Sequence, residues 1–333
     1  MGLALSIPSG AQDQGTDLYV RGEGGLVTAF TLDPSSPSTI YASTARSLFK
    51  STDSGASWRR IGSGLADHSL LAVAVDPRSP SLVYAATGRA GVFRSTDAGE
   101  HWSEANEGIT ADYVATIVMD PLRPGGIYAG GEAGRIFGSS DGGATWRELP
   151  APTGRVALSV LAMDPADGRI YAGTNSEGVL WSDNRGLTWK RPAGRLNRGT
   201  VWALSVDPAS GEIFAGTYDG FFRSGDRGAT WADSSAGLRS RNVLTIAIDP
   251  SSPSTLFAGT AAAIYGSKDG GRSWVELKNE LYVTRIVIDP RSPSTLYAAT
   301  HAGVIKSRDG GSQWALLRMA APADRSSPSP RGF

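Results

Sequence analysis

The sequence predicts an all-β protein, a seven-bladed β-propeller with four antiparallel strands per blade. Two marks repeat along its 333 residues. The first is the motif Ser-x-Asp-x-Gly-x-x-Trp, with Asn in place of Asp in the fourth copy, and its seven copies begin at Ser51, Ser95, Ser139, Ser182, Ser224, Ser267 and Ser307. The second is the pair Asp-Pro, at Asp33, Asp76, Asp120, Asp164, Asp207, Asp249 and Asp289. Both marks recur every 40 to 44 residues, with alternating apolar runs between them. Such a period is typical of propeller blades.

The second repeat shows how each blade is built. An apolar run over residues 70–75 ends at Asp76-Pro77, where proline cannot continue a ladder and begins a turn. Residues 81–87 are a second strand, 88–91 a turn and 92–95 a third strand. The motif follows, and Trp102 opens a fourth strand. The first strand carries small side chains at alternate positions, so we assign it to the lining of the central channel.

The repeats predict one domain over residues 17–318, flanked by disordered segments at 1–16 and 319–333. A length of 333 residues alone would also allow two domains. The run Leu18-Tyr-Val-Arg21 is predicted to be a short strand that pairs with the last blade and closes the ring.

The motif has a structural interpretation. Its third residue can accept hydrogen bonds from backbone N–H groups of its own turn, its glycine suits a positive φ, and its tryptophan can be buried between blades. The third-position residues are Asp53, Asp97, Asp141, Asn184, Asp226, Asp269 and Asp309. The tryptophans are Trp58, Trp102, Trp146, Trp189, Trp231, Trp274 and Trp314. Asn184 accepts a similar bond without the charge, so the fourth copy is expected to be slightly weaker.

These seven copies resemble the bacterial neuraminidase (BNR, or Asp-box) repeat over residues 26–318. Families built on that repeat include sialidases, two-propeller xyloglucanases, sortilin-type receptors and the photosystem II stability/assembly factor. The blade pattern is most similar to the last family and to xyloglucanase-type propellers. The resemblance implies a propeller, but a fold shared with enzymes does not imply an enzyme.

Composition excludes several classes of function. The chain has 32 basic and 32 acidic side chains, which argues against nucleic-acid binding and against a charged membrane-surface role. It has no cysteine, and its three histidines lie in different repeats, so no metal site is predicted. No Walker loop or dinucleotide fingerprint is present, so no cofactor is predicted. No run of 18 apolar residues could span a membrane. We expect a monomer. The sequence leaves the compartment open, and the resembling families favour an extracytoplasmic one.

Functional loops are expected on one face of the ring. The turns between second and third strands and the connections between blades share this face, which we call the top face. Its connections leaving blades three, four and five are rich in arginine, namely Arg155, Arg195, Arg198, Arg239 and Arg241. This arginine sector would suit an anionic partner, unless these are scattered solvated side chains. Further candidate binding residues near the same rim are Arg285, Tyr218, Tyr282, Trp202 and Tyr113, although packing alone would also explain Trp202.

No catalytic set is predicted. A sialidase resemblance would imply six blades and an Arg-Ile-Pro segment, which this chain lacks. A xyloglucanase resemblance would imply two propellers with a cleft between them. If the protein hydrolyses glycosides, the top-face carboxylates to test are Asp112, Glu177 and Asp219. The first prediction is therefore a non-enzymatic scaffold that binds a protein or glycan, with a glycoside hydrolase as the alternative. A receptor or sensor ectodomain is a third reading.

Overall fold

The computed structural model describes residues 26–44, 47–65, 68–152 and 154–317. Within them the chain forms seven antiparallel sheets in sequence order, one for each repeat, and the seven-bladed β-propeller is confirmed. The predicted flanking segments 1–16 and 319–333 lie outside the described residues, as does Leu18-Tyr-Val-Arg21. No helix of the described chain is long and apolar enough to cross a membrane.

Each blade takes its strands consecutively from the chain. The first strands are β1 (Ala29–Asp33), β5 (Leu70–Val75), β9 (Val114–Met119), β13 (Leu158–Met163), β16 (Val201–Val206), β20 (Val243–Ile248) and β24 (Val283–Ile288). The second strands are β2 (Ser36–Ser43), β6 (Val83–Thr87), β10 (Ile127–Gly131), β14 (Ile170–Thr174), β17 (Ile213–Thr217), β21 (Leu256–Thr260) and β25 (Leu296–Thr300).

The outer half of each blade is shorter. The third strands are β3 (Leu48–Ser51), β7 (Val92–Ser95), β11 (Ile136–Ser139), β15 (Val179–Ser182), β18 (Gly220–Ser224), β22 (Ala263–Ser267) and β26 (Gly303–Ser307). The fourth strands are β4 (Arg59–Ile61), β8 (Ser103–Glu104), β12 (Arg147–Leu149), β19 (Ala232–Asp233), β23 (Val275–Asn279) and β27 (Ala315–Leu316). A 3₁₀ turn, Glu132–Gly134, joins β10 to β11.

Blade four differs from the other six because its sheet has three named strands. In place of a fourth strand it has one antiparallel bridge between Trp181 and Lys190. Two residues later stands Pro192, at the position that Leu149 occupies in β12. Proline has no N–H to donate to β15, so the ladder stops there.

The core lies between blades. One apolar cluster joins Tyr41 and Ile61 of blade one to Val73 and Trp102 of blade two, and similar clusters fill the other junctions. The first strands of neighbouring blades contact one another around the axis, from β1 through β24 and back to β1. Side chains packed between neighbouring sheets therefore form the core of the ring.

Blade seven contacts blade one directly, which closes the ring. The Thr284 hydroxyl donates to the Val27 carbonyl at 3.0 Å, and the Lys306 ammonium donates to the Ser54 carbonyl at 3.0 Å. Phe30 and Trp58 of blade one pack in the same cluster as Tyr297 of blade seven. Blade seven already has four strands of its own among the described residues.

Candidate functional site

The seven motif turns lie between the third and fourth strands and share one hydrogen-bonding pattern. In the first, the Ser51 hydroxyl donates to Asp53 Oδ1 at 2.8 Å and accepts the Gly55 N–H at 2.8 Å. The Ser57 N–H also donates to Asp53 Oδ1 at 2.8 Å. These bonds, chiefly those from Ser57, lower the pKa of Asp53 to about 2. The carboxylates of these turns are therefore committed to local structure.

Asn184 reproduces this pattern in blade four. Its Oδ1 accepts the Ser182 hydroxyl at 2.9 Å and the Thr188 N–H at 2.8 Å, while its Nδ2 donates to Thr188 Oγ1 at 2.8 Å. An amide therefore takes the place of a carboxylate. One hydrogen bond changes direction, because Asn184 Nδ2 donates to the Thr188 hydroxyl whereas Asp53 accepts from the Ser57 hydroxyl. The predicted weakening of this copy stays a prediction.

The motif tryptophans are not equally buried. Trp58, Trp102, Trp146, Trp231 and Trp274 are buried, whereas Trp189 and Trp314 are partly exposed. Three indoles donate to a carbonyl of the preceding blade, as Trp189 does to Pro150 at 3.1 Å. Three others donate to the glycine of their own turn, as Trp102 does to Gly99 at 2.9 Å.

On the top face, the turns after the second strands are held by buried threonines. The Thr87 hydroxyl donates to the Gly91 carbonyl at 3.0 Å, and Thr174, Thr217, Thr260 and Thr300 make the corresponding bond. These hydrogen bonds fix the backbone of the turns that carry the top-face side chains. The threonine at this position was a signal in the sequence that our prediction did not use.

Two arginines of the predicted sector converge on one acid. Arg241 contacts Asp233 Oδ2 at 2.6 Å, and Arg195 contacts the same oxygen at 3.3 Å. Arg241 also donates through Nε to the Asp219 carbonyl at 2.7 Å. Arg239 lies 3.9 Å from Glu276. These acids belong to fourth strands, β19 and β23, so the sequences of the connections alone did not reveal them.

The remaining sector arginines, Arg155 and Arg198, are exposed and have no ion pair with any described residue. They lie in the connections leaving blades three and four. The sector thus separates into arginines held by Asp233 and Glu276 and arginines that can meet a partner without breaking a pair.

Arg285 lies on the channel-lining strand β24, opposite Ala299. Corresponding positions of the other first strands hold smaller residues, such as Ala72 and Thr245. The residue is exposed and has no hydrogen bond or ion pair with the described residues. The surrounding protein nevertheless removes much of its hydration, and this desolvation lowers the pKa of Arg285. A desolvated cation without a partner favours an anionic ligand.

Four large aromatic side chains are exposed on the top face. They are Tyr113, Trp202, Tyr218 and Tyr282. Tyr218, the most exposed at 63 %, lies in the turn between β17 and β18, where its N–H donates to the Thr200 carbonyl at 3.2 Å. Trp202 stands at the bulge of β16, next to the channel. Exposed aromatic side chains and unpaired arginines on one face are a composition typical of protein-binding surfaces.

The three candidate carboxylates have different surroundings. Glu177 is ion-paired with Arg191. Asp112 and Asp219 are exposed and have no ion pair with described residues. Asp219 and Glu177 lie in the top-face turns of the neighbouring blades five and four, whereas Asp112 precedes β9 in blade three. No group of three or more acidic or histidine side chains in the described chain is arranged to hold a metal ion.

A cavity lies on the opposite face, where the sequence did not predict a site. It measures about 860 Å³ and lies between blades three and four. Its walls include Asp120, Tyr128, Gly138, Arg185 and Leu187. The departure of the fourth motif copy from the others, at Asn184, was the available signal.

No protein-family model matches the sequence, and no curated protein is similar to it at a significant level. The fold is similar to that of solved propellers. A GH74 xyloglucanase from Xanthomonas campestris aligns with a TM-score of 0.74 and 20% identity, over 89% of this chain and 55% of the enzyme. The present chain therefore spans about half the length of that xyloglucanase.

Two solved structures of YCF48 are also similar. YCF48 bound to D1 peptide aligns with a TM-score of 0.69 and 17% identity, over 86% of this chain and 94% of that one. YCF48 from Cyanidioschyzon merolae aligns with a TM-score of 0.68 and 15% identity, over 86% and 96% of the two chains. At these identities the likeness establishes the fold alone. The neighbours include both enzymes and a peptide-binding protein.

Proposed function

We propose that this propeller is a non-enzymatic scaffold that binds an anionic segment of a protein partner on its top face. The observation that carries the proposal is the combination of exposed Tyr218 and Trp202 with the unpaired cations Arg155, Arg198 and Arg285. Aromatic rings supply apolar contact area, and arginine supplies paired donors for carboxylates. Similarity to YCF48, one structure of which holds the D1 peptide, supports a protein partner over a glycan.

The structure changes which arginines should be tested. Reversal of Arg195 or Arg241 would also break the pairs with Asp233, so a loss of binding would be ambiguous. Reversal of Arg155 and Arg198 breaks no pair with described residues. We therefore expect the double variant Arg155→Glu/Arg198→Glu to keep the fold and to lose partner capture.

The test is affinity capture from an extract of the source cells, with bound proteins identified and quantified. A matched control, Lys268→Glu/Arg308→Glu, reverses two exposed cations on the motif face. We expect at least ~10-fold less partner on the top-face double variant and on Tyr218→Ala, and no loss on the control. Equal capture by the wild type and the Arg155/Arg198 variant would exclude this surface.

A glycoside hydrolase is the second candidate, supported by the likeness to GH74 enzymes. Asp112 and Asp219 would then be the acids to replace. Product release from a panel of polysaccharides that disappears in Asp112→Asn/Asp219→Asn would favour hydrolysis over the scaffold.

A further inference from the structure

The cavity between blades three and four is best understood from the other junctions of the ring. We call each junction a seam and number it by its two blades. In four seams a tyrosine of the second strand donates its hydroxyl to a backbone carbonyl in the motif turn of the next blade. These bonds are Tyr41 to Ala98 at 2.9 Å, Tyr84 to Gly142 at 2.9 Å, Tyr171 to Arg227 at 3.3 Å and Tyr297 to Ser54 at 3.3 Å.

Two seams add a lysine to the same carbonyl. In seam 1–2 the Lys50 ammonium donates to the Ala98 carbonyl at 2.8 Å and lies 5.6 Å from the centre of the Tyr41 ring. In seam 7–1 the Lys306 ammonium donates to the Ser54 carbonyl at 3.0 Å and lies 4.9 Å from the centre of its tyrosine ring. The protein therefore contains two internal examples of an ammonium group held by a carbonyl and a tyrosine ring.

Seam 3–4 has the same frame without the lysine. Gly138 occupies the position of Lys50 and Lys306, directly before the motif serine. Its tyrosine, Tyr128, makes no hydrogen bond to any described residue, and the Arg185 carbonyl accepts none. The missing side chain leaves the tyrosine and the carbonyl beside open space, and both Gly138 and Tyr128 line the cavity.

The same cavity is lined by a buried carboxylate. Asp120 is only 3 % exposed and lines the cavity. Its Oδ1 accepts the Leu122 N–H at 2.9 Å, but its Oδ2 has no hydrogen bond. Arg185 Nε is 3.7 Å from that oxygen, which neutralises some of the charge without satisfying the acceptor. A buried acceptor without a partner is costly, so a ligand donor at this point would be favourable.

We propose that this cavity binds the side-chain ammonium of a single lysine presented by a protein partner. The ammonium takes the place that Lys50 and Lys306 take in their own seams. It donates to Asp120 Oδ2 and to the Arg185 carbonyl and lies against the Tyr128 ring. An ammonium group has three N–H donors. Two of them reach Asp120 Oδ2 and the Arg185 carbonyl, and the third donates to water.

The rim of the cavity favours a protein over a free amine. Leu122 and Leu187 are exposed apolar side chains on the turns of blades three and four, and Leu187 lines the cavity. A volume of about 860 Å³ holds the lysine and the neighbouring residues of its segment. The charges of the lining balance, with Arg123, Arg147 and Arg185 facing Asp120, Asp167 and Asp183. The proposal concerns the face opposite the proposed scaffold surface, and neither depends on the other.

The test uses capped tripeptides with lysine, norleucine, ε-acetyl-lysine or arginine at the centre, titrated into the whole protein and followed by NMR. The lysine peptide is expected to bind saturably. The norleucine and acetyl-lysine peptides are expected to bind at least ~10-fold more weakly, because each lacks the charged donor. Absence of saturable binding by the lysine peptide, or equal binding by norleucine, would overturn the proposal.

Two pairs of variants locate the site. Gly138→Lys supplies an internal ammonium and should weaken binding at least ~10-fold. The atoms nearest to a Cβ at Gly138 belong to the side chains of Leu149, at 3.3 Å, and Tyr128, at 3.4 Å. Its control is Gly225→Lys, which adds the same charge on the same face with no atom within 4 Å of the new Cβ. We expect the control to bind the peptide normally.

The second pair does not depend on the added lysine. Asp120→Asn removes the proposed carboxylate, and Asp164→Asn makes the same change at the equivalent buried aspartate of blade four. Binding should fall at least ~5-fold in the first and stay unchanged in the second. Thermal unfolding of every variant checks the fold, and normal binding by a folded Asp120→Asn protein would contradict the assignment.

Discussion

Seam 7–1 and seam 3–4 have a tyrosine at the equivalent position of the second strand, but the two tyrosines differ in their contacts. In seam 7–1, Tyr297 and Lys306 both donate to one carbonyl. In seam 3–4, Gly138 replaces the lysine and Tyr128 has no described partner, so a cavity remains. The first seam closes the ring. The second shows that a propeller can lose polar pairing at one joint when apolar packing between its sheets is retained.

The largest expected difference between these seams concerns the motif tryptophans. Trp58 is 2 % exposed and packs in seam 7–1, so Trp58→Ala should lower the free energy of unfolding by roughly 3–5 kcal/mol. Trp189 lies at seam 3–4 and is partly exposed, so Trp189→Ala should cost about half as much. Urea unfolding measures both. Equal losses would mean that the two seams are equally well packed.

The tyrosine hydroxyls give a smaller difference. Tyr297→Phe removes the hydrogen bond to the Ser54 carbonyl and should cost about 0.5–1.5 kcal/mol. Tyr128→Phe removes a hydroxyl that bonds no described residue, so its cost should stay within about 0.5 kcal/mol. Thermal or urea unfolding of the two variants side by side decides the comparison. A larger loss for Tyr128→Phe would show that this hydroxyl has a partner in solution.

The fold could be predicted from sequence because its signals repeat. Seven copies of one motif fix the period, and each Asp-Pro marks the end of a first strand. Blade four shows the limit, since Pro192 removes one donor and shortens a ladder that every other copy completes. A pattern averaged over copies hides the position where one copy departs from it.

The candidate sites were less predictable because they depend on contacts between distant parts of the chain. The arginine sector looked uniform in sequence, yet Asp233 binds Arg195 from 38 residues away. The pairing of Asp120 with Arg185 spans two blades. Gly138 is informative only by comparison with Lys50 and Lys306, which occupy the equivalent position in two other blades. These relations depend on packing between blades, which the order of residues in the sequence does not show.

The smallest expected difference is a pH dependence that separates Asp53, next to seam 7–1, from Asn184, next to seam 3–4. The folded pKa of Asp53 is about 2, below the usual value of about 3.9. Its stabilising contribution is therefore present above pH ~4 and is lost as the pH falls through about 2. Asn184 has no such proton to bind. In Asp53→Asn, the amide can donate to Ser57 as Asn184 does to Thr188.

We expect Asp53→Asn to be less stable than the wild type at pH 7 and to approach it as the pH falls from 5 to 2. Asn184→Asp should show the opposite change, because it adds a carboxylate to the turn that lacks one. Urea unfolding at several pH values measures the difference for both variants. If the difference between wild type and variant stays constant with pH, folding does not lower the pKa of the motif carboxylate.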